Sequence, residues 1–340
     1  MSRLVYISRN YKTQRHAGGK ARVDVEDILS ADGALNLGLR RTFSSNKVVD
    51  YFRNLAGITR FMMTIRRGDI IVVQYPLKKY YRLVCRQARR RGAKVVTLVH
   101  DLGSFRRRRL TVDEEIAKLS LSDVVVAANQ STIKWLRDNG FKKPLVEQVA
   151  WDYLSDSRPE PGIDPERLSL AYVGNLNPER DGFLYKLPAT MSIDLYGDGP
   201  VDAGMLLPKE RDNGFVEPDT LIASARGRFG LIWYGPSTTE HVGFIGEYIG
   251  LCNTHKLSLY MRAGKPVVLW RGAGQAPFVE REGVGLTVDS LDDLDAKLAA
   301  VTDEQYERMR ANVDRVAALM ASGHYLRSAL SRSLAALDRP

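Results

Sequence analysis

Cysteine is nearly absent: the 340-residue chain holds two, Cys85 and Cys252. They lie far apart and form no disulfide framework, which points to a reducing, cytoplasmic compartment. No apolar run approaches the roughly 18 residues that a membrane-spanning helix needs. The apolar run after Met1 is too short for a signal peptide, so any membrane contact is expected to be peripheral. No Cys/His cluster has zinc spacing, no G-x-S-x-G elbow occurs, and neither GxGxxG nor a Walker motif follows the first strand signal. The Asp293-Leu-Asp295 triplet reads as a polar helix start rather than a metal-binding pair.

The composition, with 44% hydrophobic and 9% aromatic residues, argues for a packed globular protein and against disorder. The length predicts two domains of roughly 150 residues each. Charge is divided unequally. Residues 1–150 carry 30 Lys+Arg against 13 Asp+Glu, and the rest carry 20 against 27. A basic half of this kind suits an anionic partner such as nucleic acid, anionic lipid or a phosphorylated acceptor. Its clusters are Lys78-Lys79, Arg89-Arg90-Arg91 and residues 106–109, and each of them also reads as a solvated face.

Short apolar runs alternate with amphipathic stretches, the pattern of parallel sheets covered by helices. In the first half, strands are expected at 4–8, 69–74, 94–99 and 123–127, all β-branched and nearly continuously apolar. Helices are expected at 20–30, 46–66, 79–91 and 131–139, the last two stopped by Gly92 and Gly140. Residues 152–165 are rich in Pro, Ser and Asp and read as a linker. The pattern then restarts, with strands at 169–173, 192–196, 230–234, 266–270 and 285–288 and helices at 254–263, 303–321 and 325–337. The expected architecture is α/β: two Rossmann-like domains, 1–151 and 166–322, with parallel sheets facing a central cleft. The helix in 323–340 is placed to pack back on the first domain. In such sheets ligands bind outside the carboxyl ends of the strands.

The strand-end loops supply the candidates. The helix opened by Asn253-Thr254-His255-Lys256 has Asn253 or Thr254 as a fitting N-cap and ends at Gly264. Its anomaly is a cation in the first turn, which opposes the helix dipole at a cost of about 0.3–1 kcal/mol. A bound phosphate reverses that sign, because the free N–H groups and Lys256 then share one anion. A solvent-facing lysine would look the same in isolation. Gly174, Asn175, Asn177 and Arg180 follow a strand and offer close backbone approach with donors, though Gly-Asn and Asn-Pro are also common turn pairs. Tyr234 is placed to meet a base or sugar, and Glu247 to accept from a hydroxyl. In the first half, Gly18, Gly19 and Lys20 open a helix after strand one. Tyr75 ends another strand, and His100-Asp101 ends a third, with Arg106 beyond it. A carboxylate at the end of a buried strand suits a general base; it also suits a loop-tying role.

Taken together these loops resemble the bacterial glucosyltransferase 3-like and galactofuranosyltransferase-like sugar transferases of GT-B fold. The matching segments run in order: Ala17-Gly-Gly-Lys-Ala21, Gly68-Asp-Ile70 to Leu77, His100-Asp-Leu102 and Tyr172-Val-Gly-Asn-Leu176. They continue with Phe229-Gly-Leu-Ile-Trp233, Gly246-Glu-Tyr248, Asn253 to Tyr260 and Gly264 to Trp270. Two positions depart from the family pattern: Thr254 stands where the family has proline, and Tyr234 where it has an acid.

The resemblance implies transfer of a hexose from a UDP-sugar to a carbohydrate or lipid-linked carbohydrate acceptor in surface-glycan assembly, inverting and without metal or other cofactor. Galactofuranose is the favoured sugar and glucose the next. It implies donor contacts at Asn175, Tyr234, Asn253 and Lys256, with Lys256 on the diphosphate; His255 and Tyr260 of the same helix are counted with them as donor-side candidates. Gly18, Gly19 and Asp101 would face donor and acceptor from the first domain. The basic half would meet an anionic membrane at its inner face, and a homo-oligomer is compatible with the sequence. Two rival classes exist. A nucleic-acid-binding protein would use the basic half but leaves the anion-site helix unexplained. A nucleotide-sugar-modifying Rossmann enzyme would be expected to carry GxGxxG.

Overall fold

A computed structural model describes residues 2–12, 17–106, 110–160, 166–188, 190–199, 206, 209–241 and 243–338. The chain divides into two compact units. The first is Met1–Asp152 with Leu251–Asn253 and Gly323–Pro340; the second is Tyr153–Gly250 with Thr254–Ser322. The stretch expected as a linker is therefore split at Asp152, and its residues 161–165 lie outside the described residues.

The first unit contains strands β1 (Leu4–Tyr6), β2 (Asn10–Tyr11), β3 (Leu35–Asn36), β4 (Thr42–Phe43), β5 (Ile70–Tyr75), β6 (Lys94–Val99), β7 (Val124–Ala127) and β8 (Leu145–Glu147). Its helices are α1 (Ala17–Ala31), α2 (Lys47–Thr64), α3 (Tyr81–Arg90), α4 (Gly103–Arg106), α5 (Val112–Leu119) and α6 (Gln130–Asp138). Six strands form one parallel sheet in the order β3-β1-β5-β6-β7-β8, and β2 pairs with β4 beside it. The central strands are runs of Ile and Val because both faces are covered; Ile71, Val84, Val95, Val125 and Leu136 meet in one apolar core.

The second unit contains β9 (Ser169–Asn175), β10 (Ser192–Asp198), β11 (Glu210–Asp212), β12 (Phe229–Ile232), β13 (Val267–Trp270) and β14 (Gly285–Val288). Its helices are α7 (Pro178–Asp181), α8 (Pro218–Ser224), α9 (Gly243–Leu251), α10 (His255–Arg262), α11 (Ala276–Glu282), α12 (Leu294–Ala299) and α13 (Asp303–Ala321). The sheet is again parallel, in the order β11-β10-β9-β12-β13-β14. The order reverses direction between β9 and β12, and that is the crevice where a doubly wound sheet receives its ligand.

A last helix, α14 (His324–Leu337), returns to the first unit. Its cap, Gly323, has φ 74° and no side chain to cap with. The missing acceptor comes from Asp152, whose carboxylate oxygens take the N–H groups of Tyr325 at 3.0 Å and Leu326 at 2.7 Å. Arg332 also donates to the carbonyl of Glu147 at 2.7 Å.

Candidate functional site

Beneath the switch point of the second unit, one tyrosine ties the two central strands together. β9 and β12 pair through Tyr172 and Leu231. There the single proton of the Tyr260 hydroxyl, from α10, is shared between the carbonyls of Ala171 at 3.0 Å and Leu231 at 3.2 Å, and its oxygen accepts the N–H of Val173 at 2.8 Å. Its ring fits because residue 230 is glycine: a Cβ there would lie 2.3 Å from the ring's Cγ. Tyr260 is 1% exposed, so this sequence-predicted residue underlies the crevice rather than lining it.

Above that floor lies the start of α10. Thr254 is the N-cap, its hydroxyl accepting the N–H of Lys256 at 3.3 Å. The Thr254 N–H in turn donates to the side-chain oxygen of Gln275 at 2.7 Å. The ammonium of Lys256 sits over two rings, 4.4 Å from the centroid of Tyr172 and 4.5 Å from that of Tyr234, and 3.3 Å from the Tyr172 hydroxyl. The Tyr234 hydroxyl is bonded to Thr254 Oγ1 at 2.7 Å, which fixes one wall of this pair. Gly174 leaves the space; a Cβ there would lie 2.7 Å from Lys256 Nζ. Ring faces offset part of the cost of a cation at the positive end of a helix. The result is an ammonium held at the positive end of a helix, a place where an anion would be stabilised.

The remaining donor-side candidates fall into two groups. Asn175 and Asn177 belong to the turn after β9, where Asn175 accepts the N–H of Asn177 at 3.0 Å and Asn177 caps α7 through the N–H of Glu179 at 2.9 Å. Glu247 is exposed on α9. The side chain of Arg180 lies outside the described residues. His255 points elsewhere, buried against the ring of Tyr153 at 4.9 Å. Asn253 is committed to the first unit: its amide donates to the carbonyls of Ala128 at 2.6 Å and Val149 at 3.0 Å and accepts from Asn129 at 2.9 Å. Its carbonyl accepts the indole N–H of Trp151 at 3.1 Å. The structure thus brings together Gly174, Tyr234 and Lys256, and spends Asn253, His255 and Tyr260 on packing and hydrogen bonding.

In the first unit, Asp101 is half-buried at the end of β6. The loop that carries it is tied by Glu115, fully buried, which accepts the N–H groups of Gly103 at 2.7 Å and Ser104 at 2.8 Å. Glu115 also takes the hydroxyl of Tyr75 at 2.8 Å, so Tyr75 faces the core, 2% exposed. His100 stacks on Trp151 with 4.5 Å between centroids and bonds Gln74 at 2.7 Å. Gly18 and Gly19 fall in the first turn of α1, and Lys20 pairs with Asp24 one turn on. The side chain of Arg106 lies outside the described residues. Among the described residues no three His, Cys, Asp or Glu side chains converge as a metal-ligand set.

With these strand orders and this helix start established, comparison with known proteins becomes specific. The N-terminal domain profile of the glucosyltransferase 3-like family matches residues 4–150 and the C-terminal domain profile matches 170–333. The chain belongs to the glucosyltransferase 3-like family. It is 25% identical over 320 residues to the beta-1,6-galactofuranosyltransferase WbbI of Escherichia coli K12, covering 94% of each chain. It is 26% identical over 283 residues to glucosyltransferase 3 of Streptococcus parasanguinis, covering 79% of this chain and 80% of that one. Among solved structures it resembles an alpha-glucosyltransferase in complex with UDP and DNA, with a TM-score of 0.59, 10% identity and complete coverage of both chains. It also resembles the trehalose 6-phosphate synthase of Burkholderia multivorans, with a TM-score of 0.56, 11% identity and coverage of 99% and 98%. The fold is GT-B, and the protein is a glycosyltransferase.

In this glucosyltransferase 3-like chain, some residues that build the site were not among the candidates. Tyr172 opens a family-matching segment, but it lies inside an apolar strand and reads as core. His241 lies between Trp233, at 4.2 Å, and Trp270, at 4.7 Å, and its Nε2 accepts the N–H of Tyr234 at 3.3 Å. That bond makes the imidazole neutral with its proton on Nδ1, and burial pushes its pKa down to about 4. His241 thereby fixes the backbone of Tyr234 from behind.

Proposed function

We propose that this glycosyltransferase moves a hexose from a UDP-sugar to a carbohydrate or lipid-linked carbohydrate acceptor in surface-glycan assembly. Galactofuranose is the first choice of sugar and glucose the second, following the names of the relatives that the chain resembles over most of its length. The single observation that carries the donor assignment is Lys256, held over Tyr172 and Tyr234 at the first turn of α10.

In this reading the diphosphate rests on Lys256 and the α10 N–H groups, without a metal ion. Asp101 takes the proton of the acceptor hydroxyl. The freed oxygen attacks the anomeric carbon, the bond from that carbon to the diphosphate oxygen breaks, and UDP leaves with the electron pair. Attack opposite the leaving group inverts the anomeric centre. Lys256 stabilises the negative charge that grows on the departing phosphate. The enzyme works at the inner face of the cytoplasmic membrane. Homo-oligomerisation is compatible with this scheme and is not required by it.

Calorimetry with UDP, GDP, ADP and NAD tests the donor. UDP should bind and raise the melting temperature by mass action; failure of UDP to do so removes the assignment. UDP-galactofuranose and UDP-glucose, offered with a common acceptor, then decide the sugar. Near-normal turnover by Asp101→Asn would remove Asp101 as base.

A further inference from the structure

Helix α2 is packed the wrong way round for a helix that meets only water. Its inner side contributes Gly57, Ile58 and Phe61 to the first unit. Its outer side carries Val48, Phe52 and Met63 at 63%, 62% and 68% exposure, with Tyr51 and Leu55 between them at 46% and 39%. Val48, Phe52, Leu55 and Met63 recur at helical spacing, with Thr59 between the last two turning its hydroxyl to the Leu55 carbonyl at 3.0 Å, so they form one stripe along the cylinder. Phe43, on neighbouring β4, is 46% exposed as well. A cluster of exposed apolar side chains this large is seldom left to solvent and marks a docking surface.

The charges around the stripe say what docks. Lys47 and Arg60 are exposed on the helix itself. Lys79 reaches across from the next segment, its ammonium 4.5 Å from the ring centroid of Tyr51. Arg53 and Arg60 run along the helix flank to the carbonyls of Arg40, at 2.9 Å, and Gly38, at 2.7 Å. The single acid of the helix, Asp50, accepts from Asn10 at 3.1 Å and Asn54 at 2.8 Å. An apolar stripe edged by cations, on a half of the chain with 30 Lys+Arg against 13 Asp+Glu, matches the chemistry of an anionic leaflet: acyl chains below, phosphates at the rim. A second copy of this chain fits less well, because a two-fold interface on this face would set Lys47, Arg60 and Lys79 against their own counterparts.

We infer that the outer face of α2, with Val48, Tyr51, Phe52, Leu55 and Met63 immersed and Lys47, Arg60 and Lys79 at the phosphates, docks the protein on an anionic phospholipid surface. The surface extends the reading of a lipid-linked acceptor given above and so rests on it for its purpose. Lipid binding is measured apart from UDP binding, and either can fail alone.

The experiment is vesicle flotation of the full chain on phosphatidylglycerol/phosphatidylcholine vesicles and on phosphatidylcholine vesicles, across a salt series. The protein should float with the anionic vesicles and remain largely unbound with the neutral ones. Phe52→Ser/Leu55→Ser should lower partitioning about tenfold or more, with melting temperature and UDP-induced stabilisation unchanged. Lys47→Glu/Arg60→Glu should weaken binding and flatten its salt dependence. Phe52→Trp, a mild change at an exposed position, should show a blue-shifted difference emission on adding anionic vesicles. The proposal is overturned if the wild type does not float, if the Ser variant floats as well as wild type, or if the new tryptophan keeps a water-exposed spectrum. It is equally overturned if sedimentation shows an oligomer that Phe52→Ser/Leu55→Ser converts to monomer, since the face would then belong to a second copy.

Discussion

Gly230 and Tyr260 are a matched pair: the ring occupies the space a side chain on β12 would need, and a Cβ at residue 230 would lie 2.3–2.7 Å from three of its carbons. Both groups are in the fixed interior of the second unit, so neither can give way cheaply. The same ring carries the hydroxyl that joins Ala171, Val173 and Leu231. Gly230→Ala should therefore cost roughly 3 kcal/mol by overpacking. Denaturant unfolding gives the loss, and UDP affinity should fall with it because the floor under Lys256 moves.

Lys256→Ala and Asn253→Ala should separate binding from stability. If Lys256 holds the diphosphate as proposed, removing the ammonium should lower UDP affinity about tenfold to a hundredfold with little change in melting. Removing the Asn253 amide leaves the carbonyls of Ala128 and Val149 without their donor and should cost about 2–3 kcal/mol of stability. Its effect on UDP affinity should be the smaller of the two. Titration calorimetry beside urea melts checks both.

His241 should make the protein sensitive to mild acid. Its pKa is held at about 4 in the fold against the ordinary 6.5. Between those values the unfolded chain binds more protons, so stability is fully present above pH 6.5 and lost as pH falls towards 4. The size is on the order of a few kcal/mol. His241→Gln should flatten this limb of the stability–pH curve.

Asp152 acts with the opposite sign. Burial raises its carboxyl to about 7, although two N–H groups of α14 pull the other way. The folded chain therefore holds the extra proton between about pH 4 and 7, and stability declines as pH rises through that window. Asp152→Asn keeps an acceptor for the helix start and should remove the slope. Comparing this variant with His241→Gln separates two effects that partly cancel in the wild type.

Much of the fold was legible from the sequence because fully buried parallel strands are written as unbroken β-branched runs. Ile70–Tyr75 and Val124–Ala127 are examples. The short edge strands Leu35–Asn36 and Glu210–Asp212 were not legible. They are paired on one side only and carry polar residues that read as loop. Helix α9 was hidden by Gly243, Gly246 and Gly250, of which Gly246 is required by space, since a Cβ would meet the carbonyl oxygen of His241 at 1.9 Å. In the site, Lys256 was legible as an electrostatic anomaly and Tyr234 as a strand-end aromatic. Tyr172 and His241 were not, because their roles depend on strands and loops distant in sequence. Spacing alone leaves Asn253 and Thr254 equal as the N-cap; the fold gives the cap to Thr254 and spends the Asn253 amide on Ala128, Val149 and Asn129.

The chain crosses between its two units four times, at 152/153, 250/251, 253/254 and 322/323. Neither unit is thus a continuous length of polypeptide, and the first is closed by a segment made after the whole of the second. Until α14 emerges, Asp152 has no helix to cap and the carbonyl of Glu147 lacks Arg332. Vectorial synthesis, which usually completes the N-terminal domain first, here leaves it waiting on α14. A chain stalled before Gly323 should hold the second unit assembled and the first unfinished.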